Sequence, residues 1–290
     1  MLPVTLALAS AALFGAMTVA LRLALVRRPG AEAGAAATVV TALAVSLVGV
    51  ALEGARGDVD LGGAWAFALA GILAPGGSQF LFTLAVRDAG PSRASVAVGA
   101  APLVSVAIAL ALLNEPARPA LMLGALLIVG GGLALAFERG RPEHVRRIGL
   151  IYAVGATVLF ASRDNLVRWL STGDVPPSTA AATTLVTGLV LALAFARALP
   201  SRERLTAFAP AGFCFGLSYV FLFEAFFHGR VTVVAPLVAT ESLWGVGLSI
   251  LLLRRTELVG HRLALGALLI VAGGVLIGAA RLAGRRMDLL

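Results

Sequence analysis

Ten long apolar runs divide the chain, each about as long as a helix that crosses a bilayer. They lie near 3–26, 33–52, 62–86, 92–113, 118–137, 148–170, 178–199, 206–227, 231–253 and 261–283. The breaks between them carry helix-ending residues: Arg27-Arg28-Pro29-Gly30, Asp88-Ala89-Gly90-Pro91, Asn114-Glu115-Pro116 and Asp174-Val175-Pro176-Pro177. Barrel strands would alternate apolar and polar residues over about 10 positions. These runs are apolar throughout, as expected when every backbone group must bond within its own segment. The pattern predicts an all-α integral membrane protein with ten transmembrane helices. The first run has no basic residue before it and is longer than the core of a signal peptide, so it reads as a helix and not as a cleaved leader.

The runs fall into two sets of five. Gly124-Ala125-Leu126-Leu127-Ile128-Val129 returns as Gly266-Ala267-Leu268-Leu269-Ile270-Val271, and Gly131-Gly132 as Gly273-Gly274. The same shift carries Glu115 onto Glu257. Leu13-Phe14 followed by Arg22 matches Leu159-Phe160 followed by Arg168, and Gly76, Ser78 and Ala85 match Gly216, Ser218 and Ala225. These shifts lie close together, as in a gapped duplication. Ala-Pro-Leu-Val at 101–104 and 235–238 needs a different shift and is treated as coincidence. The expected division is a first repeat at 1–140, a polar linker at 141–147 and a second repeat at 148–290. Five is an odd number of crossings, so the second copy enters the membrane upside down. Inverted repeats of this kind usually hold a substrate site between the halves, near the midplane.

Composition supports the membrane reading. The chain is 59% hydrophobic and 13% charged, about half the charge of a soluble domain. The net charge of +8 lies between apolar runs, which is ordinary for membrane loops and argues against nucleic acid. Every basic residue is Arg, which excludes a P-loop lysine or a Schiff-base lysine. The single Cys214 lies mid-run between Phe213 and Phe215 and reads as a packed thiol. The three His have no metal-ligand spacing, so no metal and no cofactor is expected.

Few polar residues sit inside the runs, where an ionisable group costs about 2.5–3.5 kcal/mol on insertion scales. Glu241 lies near the middle of the ninth run and is the leading candidate for a cation or proton site; an ion pair with Arg is the structural alternative. Arg163, Asp164 and Asn165 stand together in the sixth run. Asp164 and Arg168 are four apart and could pair on one helix face, which leaves Arg163 in need of a partner such as Glu241. Its match in the first repeat is Met17, so this charge belongs to one half only. Gln79 follows Pro75-Gly76-Gly77, where a broken helix could line a cavity or simply kink; Pro102 and Pro236 offer similar breaks. Tyr219 and Trp244 are candidate aromatic walls, with packing as the plainer role. Glu224 and His228 could relay protons or form a helix-end pair near water.

The ten runs, the five-plus-five repeat and the closing segments Glu115 to Gly132 and Glu257 to Gly274 resemble the drug/metabolite transporter superfamily, in its EamA-type branch. Gly90-Pro91-Ser92-Arg93-Ala94-Ser95 after Leu84-Ala85-Val86-Arg87 resembles that family's turn between its third and fourth helices. The resemblance covers essentially the whole chain. It implies an exporter or exchanger of small metabolites, such as amino acids, or of drugs. It implies helix caps or gates at Glu115 and Glu257. Glu241 departs from it, because many members have Pro or an apolar residue there.

The combined reading is a multi-pass cell-membrane transporter, not an enzyme, with a small organic solute and protons as partners. Its expected site residues are Glu241, Arg163, Asp164, Gln79, Asn165, Tyr219 and Trp244. A scaffold or sensor subunit is the main alternative. An intramembrane enzyme is disfavoured, because no nucleophile-base constellation appears in the runs. Sorting the Arg by connection puts fourteen on the side of the odd-numbered connections and six on the side of both termini. Short loops are where the positive-inside rule has force, so both termini are expected outside the cytoplasm, whereas the resemblance implies both inside. A reporter active only outside the cytoplasm, fused after Leu290, is expected to be active; activity from a cytoplasm-only reporter alone would reverse the assignment.

Overall fold

The computed structural model describes residues 2–55, 62–99, 101–113, 118–136, 147–171, 173–253, 265, 266, 268–277 and 279. Glu115, Glu257 and linker positions 141–146 lie outside the described residues. Within them the chain is helical, with no strand. The helices are α1 (Leu2–Arg27), α2 (Ala31–Ala55), α3 (Ala64–Ala89), α4 (Pro91–Val98), α5 (Ala101–Leu112), α6 (Pro119–Ala136), α7 (Arg147–Leu170), α8 (Pro177–Ala196), α9 (Arg202–His228), α10 (Val231–Val238), α11 (Glu241–Leu253) and α12 (Leu268–Ile277). Among the described residues, seven stretches are long and apolar enough to cross a membrane: α1, α2, α3, α7, α8, α9 and the combined run Val231–Leu252. Ala101–Leu112, Pro119–Gly131 and Leu268–Ile277 are shorter apolar helices.

Local chemistry sets the ends. Pro91, Pro119 and Pro177 open helices, where a missing N–H costs nothing. Gly90, at φ 87°, closes α3 in a conformation that suits glycine. For the fourth and ninth runs the sequence offers breaks at Pro102 and Pro236. Each is broken, the fourth after Val98 and the ninth after Val238. α3 is interrupted as expected near Pro75: Ala74 has φ −147° and ψ 125°.

Large apolar side chains such as Ile151, Val190, Leu126 and Val275 point outward and are exposed. Inside, small residues such as Ala7, Gly15 and Ala36 let helices approach closely, and buried rings such as Phe82, Phe215 and Phe223 fill the space between them. α1 packs along α9, and α3 packs along α7; these pairs exchange under the sequence repeat. The crossing of α6 with α12 shows the same exchange at single residues. A Cβ on Gly131 would lie 2.5 Å from the Gly266 oxygen and 2.8 Å from Ile270. A Cβ on Gly273 would lie 2.5 Å from the Gly124 oxygen and 2.8 Å from Ile128. Since Gly131 meets Gly266 while Gly273 meets Gly124, the two helices cross antiparallel.

α2 is tied to the second half at both ends. At its C-terminal end Glu53 accepts hydrogen bonds from the Ser178 N–H (2.7 Å), the Thr179 N–H (3.1 Å) and the Thr179 hydroxyl (3.0 Å), which caps the first turn of α8. At the other end Arg28 pairs with Glu203 at 2.6 Å, and Arg204 donates to the Pro29 and Gly30 carbonyls at 3.0 and 3.2 Å.

The α6–α12 crossing predicts a contrast between adjacent glycines. Gly131→Ala and Gly273→Ala are each expected to destabilise the protein by about 1–3 kcal/mol through overpacking. Gly130→Ala, where a Cβ meets nothing within 4 Å, is expected to be neutral or slightly stabilising. Thermal unfolding in detergent micelles measures both.

Candidate functional site

The breaks in the fourth and ninth runs build the site. A shift of 140 carries Pro91–Val98 onto Val231–Val238 and Ala101 onto Glu241, so the two breaks are repeat mates. This shift agrees with that of Gly76, Ser78 and Ala85, whereas the Ala-Pro-Leu-Val match does not. At the second break Thr240 and Ser242 turn their hydroxyls back onto the Leu237 and Ala239 carbonyls, at 2.7 and 2.9 Å. Such local bonds compete with the helix ladder, and Pro236 upstream already lacks an N–H. Glu241 is therefore the first residue of α11. A helix N-terminus favours a carboxylate by about 0.3–1 kcal/mol or more, which offsets part of its cost in hydrocarbon.

Both breaks face one cavity. It is lined by Val98, Ala101 and Pro102 from the first break, and by Ala235, Val238, Ala239 and Glu241 from the second. α1 adds Ser10 and Phe14, α7 adds Phe160, Arg163 and Asp164, and α9 adds Ser218, Tyr219 and Leu222. The volume is about 30 Å³, room for a water or two. Ser10 and Ser218 tie α1 to α9, each hydroxyl donating to the other's backbone carbonyl at 2.9 Å.

Four of the seven expected site residues meet here: Glu241, Arg163, Asp164 and Tyr219. Arg163 is 3% exposed. Its Nε lies 3.0 Å from the Asp164 Oδ1, a charge contact that lacks the alignment of a hydrogen bond, since neither atom has a hydrogen-bond partner. The guanidinium carbon sits 4.7 Å from the Tyr219 ring centre, with the Phe160 and Phe223 rings at 5.8 and 5.9 Å. Cation–π attraction of this kind strengthens when desolvated. Glu241 is within electrostatic reach of both Asp164 and Arg163. No described residue hydrogen-bonds its carboxylate.

The expected partners of these charges are rearranged. Asp164 pairs with its neighbour Arg163 and not with Arg168. Arg168, near the end of α7, donates to the Phe226 carbonyl at 3.0 Å and to the Ser171 hydroxyl at 3.3 Å, so it serves the last turn of α9, where carbonyls lack helical partners.

Three expected residues do not line the cavity. Asn165 donates to the Ser105 and Ala161 carbonyls at 3.0 and 2.9 Å, tying α7 to α5. Trp244 is 46% exposed; its Cβ stands over Gly15 of α1, at the edge of the α1–α11 contact and outside the cavity. Gln79 is buried in α3 with neither amide atom hydrogen-bonded. The break before it packs on α8, with the Pro75 ring against Gly188 and Gly76 against Leu191, so it acts as a packed kink. Glu224 and His228 form a 3.4 Å pair at the end of α9, half open to water. Sequence reasoning missed Ser10, Phe14, Phe160 and Ser218. The signal was present: the repeat alignment pairs Phe14 with Phe160, whose rings meet edge-on at 5.8 Å, and it singles out Ser218.

The fold and site define a multi-pass membrane protein with a small, mostly apolar cavity between broken helices that holds three buried charged side chains. The model of the EamA-like transporter family matches residues 1–137 and 147–279, and the chain belongs to that family, which implies a small solute and a bilayer as partners. No curated protein matches the chain. Among solved structures, a crystal structure of a protein superposes with a TM-score of 0.74 at 20% identity, over 99% of this chain and 98% of that one; this likeness concerns the fold alone.

The buried pair generates a stability prediction. Asp164→Ala leaves Arg163 buried without its counter-charge and is expected to cost about 3–5 kcal/mol. Installing the first repeat's residues at both positions, Arg163→Met with Asp164→Thr after Met17 and Thr18, is expected to recover most of that loss. Chemical unfolding in micelles compares the two.

Proposed function

We propose that the chain is a secondary transporter of the cell membrane that exports or exchanges a small organic solute, such as an amino acid or amphipathic metabolite. The seven long helices and three shorter apolar ones make ten crossings, arranged as two inverted five-helix repeats, 1–140 and 148–290. Rocking of one repeat against the other exposes the cavity alternately to each side. The observation that carries this reading is the position of the cavity: it lies where broken helices from both halves face each other, and it holds the buried charges Glu241, Arg163 and Asp164. Few structural needs justify an intramembrane carboxylate without a hydrogen-bonded partner. Protons are the coupling ion in this reading, with Glu241 as the carrier.

Liposomes containing only this protein, loaded with a panel of candidate solutes, test the proposal. Flux of one or more solutes is expected, and none across the panel would favour the scaffold or sensor alternative. Glu241→Gln is expected to lower that flux by about tenfold or more while leaving membrane insertion and folding intact. Wild-type flux in that variant would remove Glu241 from its role.

A further inference from the structure

The cavity has two acidic side chains and one basic one. Arg163 is already committed: Asp164 lies 3.0 Å away and three aromatic rings surround the guanidinium. Glu241 has no such commitment. It is 3% exposed, begins α11 and faces the cavity. The groups facing it are Asp164 and Arg163 from α7 and Tyr219 from α9; the lining from α1, α4, α5 and α10 has no titratable side chain. The break opposite, at Val98, Ala101 and Pro102, presents apolar side chains, and Pro102 removes one backbone donor from the start of α5. Phe14 and Phe160 add ring surface to the same cavity.

We propose, resting on the reading of this cavity as the transport site, that its substrate is a small organic monocation such as a protonated amine, and that Asp164 sets this preference by occupying Arg163. A buried site with two carboxylates and one guanidinium lacks one positive charge, and low-dielectric surroundings make that imbalance costly. A protonated amine supplies the charge at Glu241 and gains ring contacts. A zwitterion brings a carboxylate whose only basic partner is shared with Asp164, so three carboxylates would crowd one guanidinium. An anion is worse still. A proton on Glu241 restores the same balance as the amine, so the two compete for one group, which is the requirement for exchange.

Three probes with a common ring separate the cases: phenethylamine as cation, phenylalanine as zwitterion and 3-phenylpropionate as anion. Binding to the purified full-length protein in lipid nanodiscs is measured by calorimetry. Phenethylamine is expected to bind at least about tenfold more tightly than phenylalanine, because like-charge juxtaposition disfavours the latter. Glu241→Gln is expected to abolish the amine advantage and Glu241→Asp to retain it. Asp164→Asn frees Arg163 and is expected to reverse the order, with phenylalanine the tighter ligand. The wild-type order decides alone if a variant fails to fold: preference for phenylalanine or 3-phenylpropionate, or no binding of phenethylamine, overturns the inference. Flux of the same probes in liposomes separates this outcome from the fate of the transport reading. Amine binding in the expected order without flux would overturn transport and keep the recognition. Phenylalanine flux that persists in Glu241→Gln would do the reverse.

Discussion

Hydrocarbon offers no hydrogen-bond partner to a backbone, and the placement of everything else in this molecule follows from that. Helices are the solution for every long run, and a helix can be interrupted only where protein or a polar cavity receives the freed groups. The interruptions obey this. The one at Ile72–Gly77 is packed against α8, where a Cβ on Gly71 would lie 2.5 Å from the Thr184 carbonyl. The ones after Val98 and Val238 face each other across the cavity. At the second of these the Thr240 and Ser242 hydroxyls take up the Leu237 and Ala239 carbonyls, so the turn supplies its own partners beside the cavity.

The two halves share a frame and divide the chemistry unequally. Phe14 and Phe160 are repeat mates and both line the cavity. Arg163 stands opposite Met17, Asp164 opposite Thr18, Glu241 opposite Ala101 and Tyr219 opposite Gln79. Every charged side chain of the cavity lining therefore comes from the second half. On the proposed transport reading, symmetry makes a frame with two equivalent ways to tilt, and charge confined to one half would keep the binding chemistry attached to one body. Gly131 and Gly273 show why the frame tolerates this: the close α6–α12 crossing depends on residues without side chains and is indifferent to what lines the cavity.

Much of the fold was legible in the sequence because lipid enforces a single pattern, long apolar runs ended by Pro, Gly and Arg. Helix boundaries such as Leu2–Arg27 and Arg147–Leu170 fall within a residue or two of the expected ones. The breaks after Val98 and Val238 were not legible as such. Hydropathy is continuous through them, and Pro102 and Pro236 drew attention to neighbouring positions. The deciding feature is hydroxyl capture by Thr240 and Ser242, a local competition that composition does not reveal. For the cavity, polarity inside a run is the readable signal for Glu241, Arg163 and Asp164, and an aromatic ring in a run the signal for Tyr219. Gln79 and Asn165 carry the first signal and Trp244 the second, yet all three lie elsewhere, because residue type shows that a partner or surface is needed and does not show which way the helix turns it. The Asp164 and Arg163 contact was missed because adjacent residues point apart on an ideal helix, and only the length of the Arg side chain lets it fold back.

On the proposed transport reading, a cavity with room for a water or two admits a solute only when helices part, so the ties across the halves matter. At one end of α2 the Glu53 carboxylate takes three hydrogen bonds, two of them from N–H groups in the first turn of α8, charge-assisted bonds worth about 1.5–3 kcal/mol each when well made. At the other end Arg28 and Glu203 have side chains 51% and 69% exposed, and an exposed pair contributes about 0–1 kcal/mol. Arg204 adds neutral carbonyl acceptors there, Pro29 and Gly30, which water replaces at little cost. The two ends of the interface between the halves are thus unequal in strength, although the frame that carries them is nearly symmetric. Separation at the Glu203 end disrupts contacts that water can substitute, whereas separation at the Glu53 end strips a carboxylate from a helix terminus. On the alternating-access reading proposed above, this inequality places opening at the Arg-rich face nearer in free energy than opening at the Glu53 end, and a substitution that weakens Glu53 would move the balance toward that end.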